Sequence, residues 1–207
     1  NKNLDVVIMA GGKGTRLKPF TEVLPKPLMP IKNKTIIENI LNFFKKNGFN
    51  NFFITINFKS EILKAYFKEI SENYSIRFVE EKKPLGTIGS IKLIKSNKKN
   101  MIIANCDVIY KINLRRFIEN HIKKNFDISF VASNKRLEVP YGVCRFKNNK
   151  FEKFEEKPEL FFYINTGLYI IKSRLKKLIP KNKKFNATDL INLANLKKYK
   201  IGIYKIK

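Results

Sequence analysis

A chain of 207 residues with a net charge of +26, two cysteines and one histidine is long enough for one large domain with a sizeable core. Two cysteines are too few for a disulfide framework, which points to a reducing cytosol, and neither an 18-residue apolar run nor a signal-peptide pattern is present. Lys far outnumbers Arg and comes in short scattered runs such as Lys45-Lys46, Lys98-Lys99 and Lys183-Lys184, so the charge reads as codon bias that also attracts anionic nucleotides, not as a base-reading nucleic-acid surface.

The first predicted element, residues 4–9, is a near-continuous apolar run, the mark of a strand buried on both faces. Thr35 and Glu38 form a capping box, and the helix they open runs to about Lys46, where Gly48 stops it. Strands at 52–57, 76–79, 101–104 and 127–133 then alternate with helices at 61–72, 88–94 and 113–125. Such alternation predicts an α/β fold with a Rossmann-like open sheet, mostly parallel, joined by right-handed crossovers. From Tyr141 the rhythm changes. Strands at 142–146, 151–155 and 164–171 have short connections, and "KNNK" reads as a hairpin turn. The C-terminal half therefore adds antiparallel strands, with helices at 173–179 and 187–197. No linker or repeat divides the chain, so 1–207 reads as one domain. It lacks an initial Met and ends in a strand-like "YKIGIYKIK", which suggests a piece cut at both ends.

Directly after the first strand come Gly11, Gly12 and Gly14, then Arg16. A Walker A loop needs Gly-Lys-Ser/Thr at its end, but here Lys13 is followed by Gly14. A dinucleotide fingerprint needs a further glycine where Leu17 stands. Both need an immediate helix, and Pro19, Pro25, Pro27 and Pro30 argue for a long, extended, stiff loop instead. What remains is a nest of backbone N–H groups converging on an anion. Arg16 adds a forked cation, and Lys26 is pinned between two prolines.

The stretch "AGGKGTRLKPFTEVLPKPLMPI" resembles the opening signature of the sugar-1-phosphate nucleotidyltransferases, which include thymidylyl-, uridylyl- and guanylyltransferases. "KPLGTIGSI", "NCDVIY", "PYGV", "FEEKPE" and "INTGLYII" follow in the family's order. The words sound closest to the bacterial branch in which such a domain follows a pair of CBS domains. The resemblance implies a cytoplasmic enzyme that joins an NTP to a sugar 1-phosphate, possible homo-oligomers, and no membrane or specific nucleic-acid partner.

On that resemblance, Ala10, Gly11, Gly12, Gly14 and Thr15 cradle the triphosphate, Arg16 holds the outgoing pyrophosphate, and Lys26 reaches the α-phosphate. Asp107, at the carboxyl end of a strand, binds Mg²⁺, although the usual preceding glycine is Cys106 here. Leu85, Gly86 and Thr87 form the nucleobase edge through backbone and hydroxyl groups; the Gly-Thr pair leans towards guanine. Lys157 grips the sugar phosphate, Glu156 a sugar hydroxyl, and Tyr141, Gly142, Asn165, Thr166 and Gly167 line the sugar. The family's second metal-binding Asp falls beyond Lys207, and Asp189 reads as a helix-start residue. His121, inside a predicted helix, reads as structural or solvent-facing. The reading leans to GTP with a mannose-type or related sugar 1-phosphate, giving an NDP-sugar and pyrophosphate; the alternatives are a thymidylyl- or uridylyltransferase acting on glucose 1-phosphate, a nucleotide or sugar-phosphate sensor that has lost catalysis, and a polyanion binder that uses the charge.

Overall fold

The apolar run near the amino end forms β1 (Leu4–Met9) and takes a central position in the sheet. The computed structural model describes residues 3–70 and 74–206, without the side chains of Arg16 and Ile70. In chain order after β1 come α1 (Phe20–Val23), β2 (Pro30–Ile31), β3 (Lys34–Thr35), α2 (Ile36–Lys46), β4 (Asn51–Ile56), α3 (Ser60–Ile70) and β5 (Ser75–Glu80). Then follow β6 (Asn100–Asn105), α4 (Leu114–Lys123), β7 (Ile128–Glu138), β8 (Val143–Lys147), β9 (Lys150–Glu155), β10 (Glu159–Lys172), α5 (Ala187–Leu196) and β11 (Ile201–Ile206).

The main sheet runs in the order β11-β7-β10-β6-β1-β4-β5. β1 pairs in parallel with both β4 and β6, and β4 with β5. Only β10 runs against its neighbours β6 and β7, while β11 lies parallel to β7. The expected mostly parallel sheet with antiparallel additions in the C-terminal half is what the chain builds.

Strand alternation divides the core in two. Val6 and Ile8 face Ile37, Ile40, Leu41 and Phe44 of α2, Leu63 and Phe67 of α3, and Leu114 and Phe117 of α4. Val7 and Met9 face the opposite layer, built from Ile88, Ile91, Ile94, Leu175, Ile179 and the α5 residues Leu190 and Ala194. Helices on both faces explain why β1 has no polar side: four of its last five residues are wholly buried or nearly so. The α2 capping box forms as expected, with Thr35 Oγ1 accepting from Glu38 N and Glu38 accepting from Thr35 N at 2.7 Å.

Three local expectations change. The segment after β1 is not extended: it holds 3-10 turns at Thr15–Leu17 and Lys26–Leu28, with α1 between them. Pro19 caps α1 and Pro25 caps the Lys26–Leu28 turn, positions where a missing N–H costs nothing. Residues Gly89–Leu93 and Ser173–Leu178 form 3-10 rather than α-helices. The buried Ile88, Ile91 and Ile94 recur every three residues, which is the 3-10 period. Finally, β7 and β10 run on past the sheet as a ribbon, pairing out to Glu138 and Glu159. β8 and β9 form a separate hairpin whose turn residues Asn148 and Asn149 both have positive φ, 49° and 61°.

His121 is 1% exposed on α4, with Nδ1 2.8 Å from Ser129 Oγ of β7. Burial, then the charge of Lys172, push its pKa down to about 4. An unfolded histidine titrates near 6.5, so between these values the unfolded chain binds more protons. The neutral imidazole thus contributes stability fully above about pH 6.5 and loses it as pH falls through 4. Urea denaturation at stepped pH should show wild type losing about 2 kcal/mol more than His121→Asn between pH 6.5 and 4.5. Equal pH slopes for the two proteins would count against a buried neutral imidazole.

Candidate active site

The register of two parallel neighbours sets the site. Met9 of β1 lies beside Asn105 of β6, so Ala10 and Cys106-Asp107 leave the sheet at one level. Ala10 N donates to Thr55 O of β4 at 3.0 Å and holds the start of the loop against the sheet. At Gly14 the chain turns with φ of 63°, and Thr21 Oγ1 donates to its carbonyl at 3.1 Å. A Cβ there would stand 2.8 Å from Thr21 Cγ2 and 3.1 Å from Lys26 Cβ. The loop therefore packs directly on the stem of Lys26. A Cβ on Gly12, by contrast, would meet nothing within 4 Å, so that side of the loop is open to a ligand.

Lys26 opens a 3-10 turn whose next residues, Pro27 and Leu28, are buried and anchor it. Its Nζ donates to Asp107 Oδ2 at 2.9 Å, across 81 residues of sequence. The two side chains keep 25% and 40% of their surface exposed. Such a pair adds little stability; it aligns one cation and one carboxylate beside the glycine loop. Thr15 and Arg16 lie in the turn Thr15–Leu17, and the Arg16 side chain falls outside the described residues. Cys106 is buried, and burial followed by the Asp107 charge raises its thiol to about 12, so it stays an uncharged packing group. Among the described residues no group of three or more His, Cys, Asp or Glu could hold a metal ion. Asp107 alone offers a hard, solvent-reachable carboxylate, suited to a cation that takes its other oxygens from phosphates and water.

The Leu85-Gly86-Thr87 segment is clasped to the start of α5. Phe185 N donates to Leu85 O at 2.9 Å and Ile88 N to Phe185 O at 3.2 Å. Gly86 has φ of 81°, and a Cβ there would lie 2.6 Å from Phe185 O. The Thr87 hydroxyl accepts from Ala187 N at 2.9 Å, so the chain itself uses part of its hydrogen-bonding capacity. Asp189 completes a capping box with Asn186, the helix-start role expected of it.

On the other side of Asp107, the β10 bulge between Asn165 and Tyr169 carries the expected sugar-lining residues. Gly167, with φ of 74°, presses against the Asn105 side chain, and the Tyr110 hydroxyl reaches both Asn105 O at 2.9 Å and Gly167 O at 3.3 Å. Asn165 Oδ1 accepts from Gly167 N at 3.0 Å, and Thr166 Oγ1 donates to Val131 O at 3.0 Å, so both brace the bulge. Tyr141 and Gly142 precede β8, and Glu156 and Lys157 follow β9. A Cβ on Gly142 would stand 3.1 Å from Glu156 Oε2, which brings these ends together. Among the described residues no hydrogen bond or ion pair ties Glu156 or Lys157 to Lys26 or Asp107. The phosphate end and the ribbon end are thus two separate groups, joined through the bulge.

One residue escapes the sequence reading. Glu81, immediately after β5, is 5% exposed, accepts from Leu85 N at 2.9 Å through Oε2, and stands 3.0 Å through Oε1 from where a Gly11 Cβ would be. Its signal was a pair of glutamates opening "EEKKPLG" in a chain poor in acids.

Comparison with known proteins identifies the family and the fold. The family model described as "Nucleotidyl transferase" matches residues 5–199. The D-glycero-α-D-manno-heptose 1-phosphate guanylyltransferase of Aneurinibacillus thermoaerophilus is 29% identical over 88% of this chain and 81% of its own. The mannose-1-phosphate guanyltransferase of Pichia angusta is 33% identical over 84% of this chain, which spans half of that relative's length. The crystal structure of HddC from Yersinia pseudotuberculosis superposes with a TM-score of 0.73 at 26% identity, covering 97% of this chain and 89% of that one. A second structure of HddC holds GMP-PN.

Gly14→Ala tests the loop's packing on Lys26. The positive φ and the 2.8 Å approach to Thr21 should cost about 1–2 kcal/mol of stability in urea denaturation. NTP binding measured by calorimetry should weaken about tenfold, because relieving the clash moves Lys26. Unchanged stability and affinity would show that the loop is slack.

Proposed function

The chain belongs to the nucleotidyl transferase family, and from that premise we propose that it transfers GMP from GTP to a manno-configured sugar 1-phosphate, releasing pyrophosphate. The observation that carries the reading is the glycine loop, Lys26 and Asp107 converging at the ends of β1 and β6, with the 2.9 Å Lys26–Asp107 contact at their junction. The guanine and the manno configuration rest on the names of the relatives, heptose- and mannose-1-phosphate guanylyltransferases.

An oxygen of the sugar phosphate attacks the α-phosphorus. The bond from that phosphorus to the bridging oxygen breaks, and its electron pair leaves with pyrophosphate. A phosphate monoester is largely dianionic at neutral pH, so the nucleophile needs no general base. This fits a site with no histidine: His121 is buried against β7, away from the loop. What the protein must do is align two anions and neutralise the charge that grows between them.

The N–H groups of residues 11–15 receive the β- and γ-phosphates. Lys26 leaves Asp107 for the α-phosphate, where its charge counts most in the transition state. Asp107 would hold Mg²⁺, which supplies charge neutralisation across the phosphate oxygens. Arg16 follows the pyrophosphate, and Lys157 takes the sugar phosphate on the ribbon side. Glu156, Tyr141 and Gly142 meet the sugar hydroxyls beside Asn165, Thr166 and Gly167. The loop of Leu85, Gly86 and Thr87 receives the base. The sugar phosphate would lie between the phosphate end and the ribbon end.

A pyrophosphate-release screen of four NTPs against mannose, heptose and glucose 1-phosphates tests the reading. GTP with a manno-configured acceptor should give the highest kcat/KM; uridylyl or thymidylyl transfer to glucose 1-phosphate as the fastest pair would overturn it. Within the same assay, Lys157→Ala should raise KM for the sugar phosphate about tenfold or more while moving KM for GTP little, the loss of one charge-assisted hydrogen bond. Equal effects on the two substrates would remove Lys157 from that role.

A further inference from the structure

We propose that the Tyr110 hydroxyl is the positioning group that fixes the approach of the two substrates, by holding the loop that carries Asp107 and the sugar-side bulge of β10 at one set separation. The inference rests on the nucleotidyl-transfer reading above and adds a residue that touches neither substrate.

β6 and β10 are antiparallel neighbours up to Ala104 and Leu168, where their pairing ends. Past that point the two chains part, β6 towards Asp107 and β10, followed backwards, towards Thr166 and Asn165. The bond from Ser173 N to Lys99 O at 2.8 Å sets the phase of the ladder. Counted from it, Asn105 and Gly167 are the next pair due to exchange both backbone bonds. Half of that exchange is lost. Gly167 N donates instead to Asn165 Oδ1 at 3.0 Å, which leaves Asn105 O to another donor.

That donor is the Tyr110 hydroxyl, 2.9 Å from Asn105 O and 3.3 Å from Gly167 O. A phenol carries one hydrogen, so the two carbonyls share it. The bond to Asn105 O closes a loop of residues 105–110 with Asp107 inside it. The contact with Gly167 O holds the bulge to the same atom. One side-chain oxygen thus replaces the lost bond of the ladder. Behind it, the ring is 6% exposed and packs on Phe43 of α2, with centroids 5.8 Å apart. The hydroxyl is fixed from the core and cannot follow either chain alone.

A buried tyrosine often serves the fold and nothing more. The place of this one gives it a second effect. Asp107 lies two residues past Asn105 and meets Lys26 at the phosphate end. Asn165 and Thr166, the sugar-side residues, lie on the far side of Gly167. Both substrates are anions that repel each other, and the attacking oxygen, the phosphorus and the leaving oxygen must come roughly into line. A misplacement of about 1 Å can cost on the order of a hundredfold in rate. Phenylalanine would fill the same space, so Tyr110→Phe removes the hydroxyl and little else. Asn105 O would lose its donor, and the loop and the bulge would settle independently.

The test compares wild type, Tyr110→Phe and Tyr74→Phe, using the fastest NTP and sugar 1-phosphate pair from the screen above. Tyr74 lies just before β5, at the opposite end of the strands, and donates to Asn42 Oδ1 at 2.8 Å, so its variant reports the loss of a hydroxyl that serves structure alone. Tyr110→Phe should slow single-turnover transfer at saturating substrates at least about tenfold, with NTP affinity by calorimetry and KM for the sugar phosphate within about twofold of wild type. Tyr74→Phe should transfer at the wild-type rate. Transfer by Tyr110→Phe at the wild-type rate overturns the proposal, as does weaker binding of both substrates with an unchanged saturated rate, or equal slowing in Tyr74→Phe; each leaves the transfer reading standing. A wild type that transfers with no pair overturns both. Should Tyr110→Phe fail to fold, Phe43→Leu, which loosens the wall behind the ring, takes its place: transfer should slow about threefold with binding unchanged, and a wild-type rate overturns the proposal.

Discussion

The pairing of β1 with β6 is the constraint on which the site depends. Two parallel strands in fixed register end side by side, Met9 against Asn105, and each delivers a different chemical group to the same edge. β1 delivers backbone N–H groups, because glycines remove the side chains that would block an anion. β6 delivers the Asp107 carboxylate. A shift of one residue in this pairing would turn every side chain of a strand to the other face. The two-sided core forbids that, since Val6 and Ile8 are buried in one layer and Val7 and Met9 in the other. Core packing thus holds the geometry of the candidate site.

Three carboxylates in the molecule show how environment assigns different roles to one functional group. Asp107 is partly exposed and paired with Lys26, so it can exchange that partner for others at little cost. Asp127 is buried but meets Lys172 at 3.2 Å, Arg174 and the Lys200 N–H; hydrogen bonds from these groups outweigh its burial and hold its pKa down. It ties β7 to β10 and β11 and needs nothing else. Glu81 is buried with no cation, and its pKa moves the other way. Only the first and the third are unfinished, and both lie beside the glycine loop.

Much of this was legible in the sequence because it depends on neighbours in the chain. Residues 4–9 read as a two-sided buried strand and are one, since continuous apolarity reports helices on both faces. The Thr35–Glu38 box needs only a three-residue spacing. The glycine loop and Lys26 announced themselves by residue type. What depended on distant partners did not show. Thr87 offered a free hydroxyl until the start of α5 claimed it from 100 residues away. Glu81 went unread, because its burial is set by β4, Gly11 and Leu85 together. The prolines after β1 suggested an extended loop, yet Pro19 and Pro25 sit where short turns begin, a choice the residue type alone leaves open.

The central claim is that the groups gathered at the ends of β1 and β6 move a nucleotide by attack at its α-phosphorus. Single-turnover reactions with GTP labelled at the α- or the γ-phosphate, run with mannose 1-phosphate on wild type and Lys26→Ala, test it most directly. The expected result is α-label in the sugar nucleotide and γ-label in pyrophosphate, with transfer slowed at least about tenfold in the variant. Release of γ-label as inorganic phosphate, or transfer by Lys26→Ala at the wild-type rate, would contradict it.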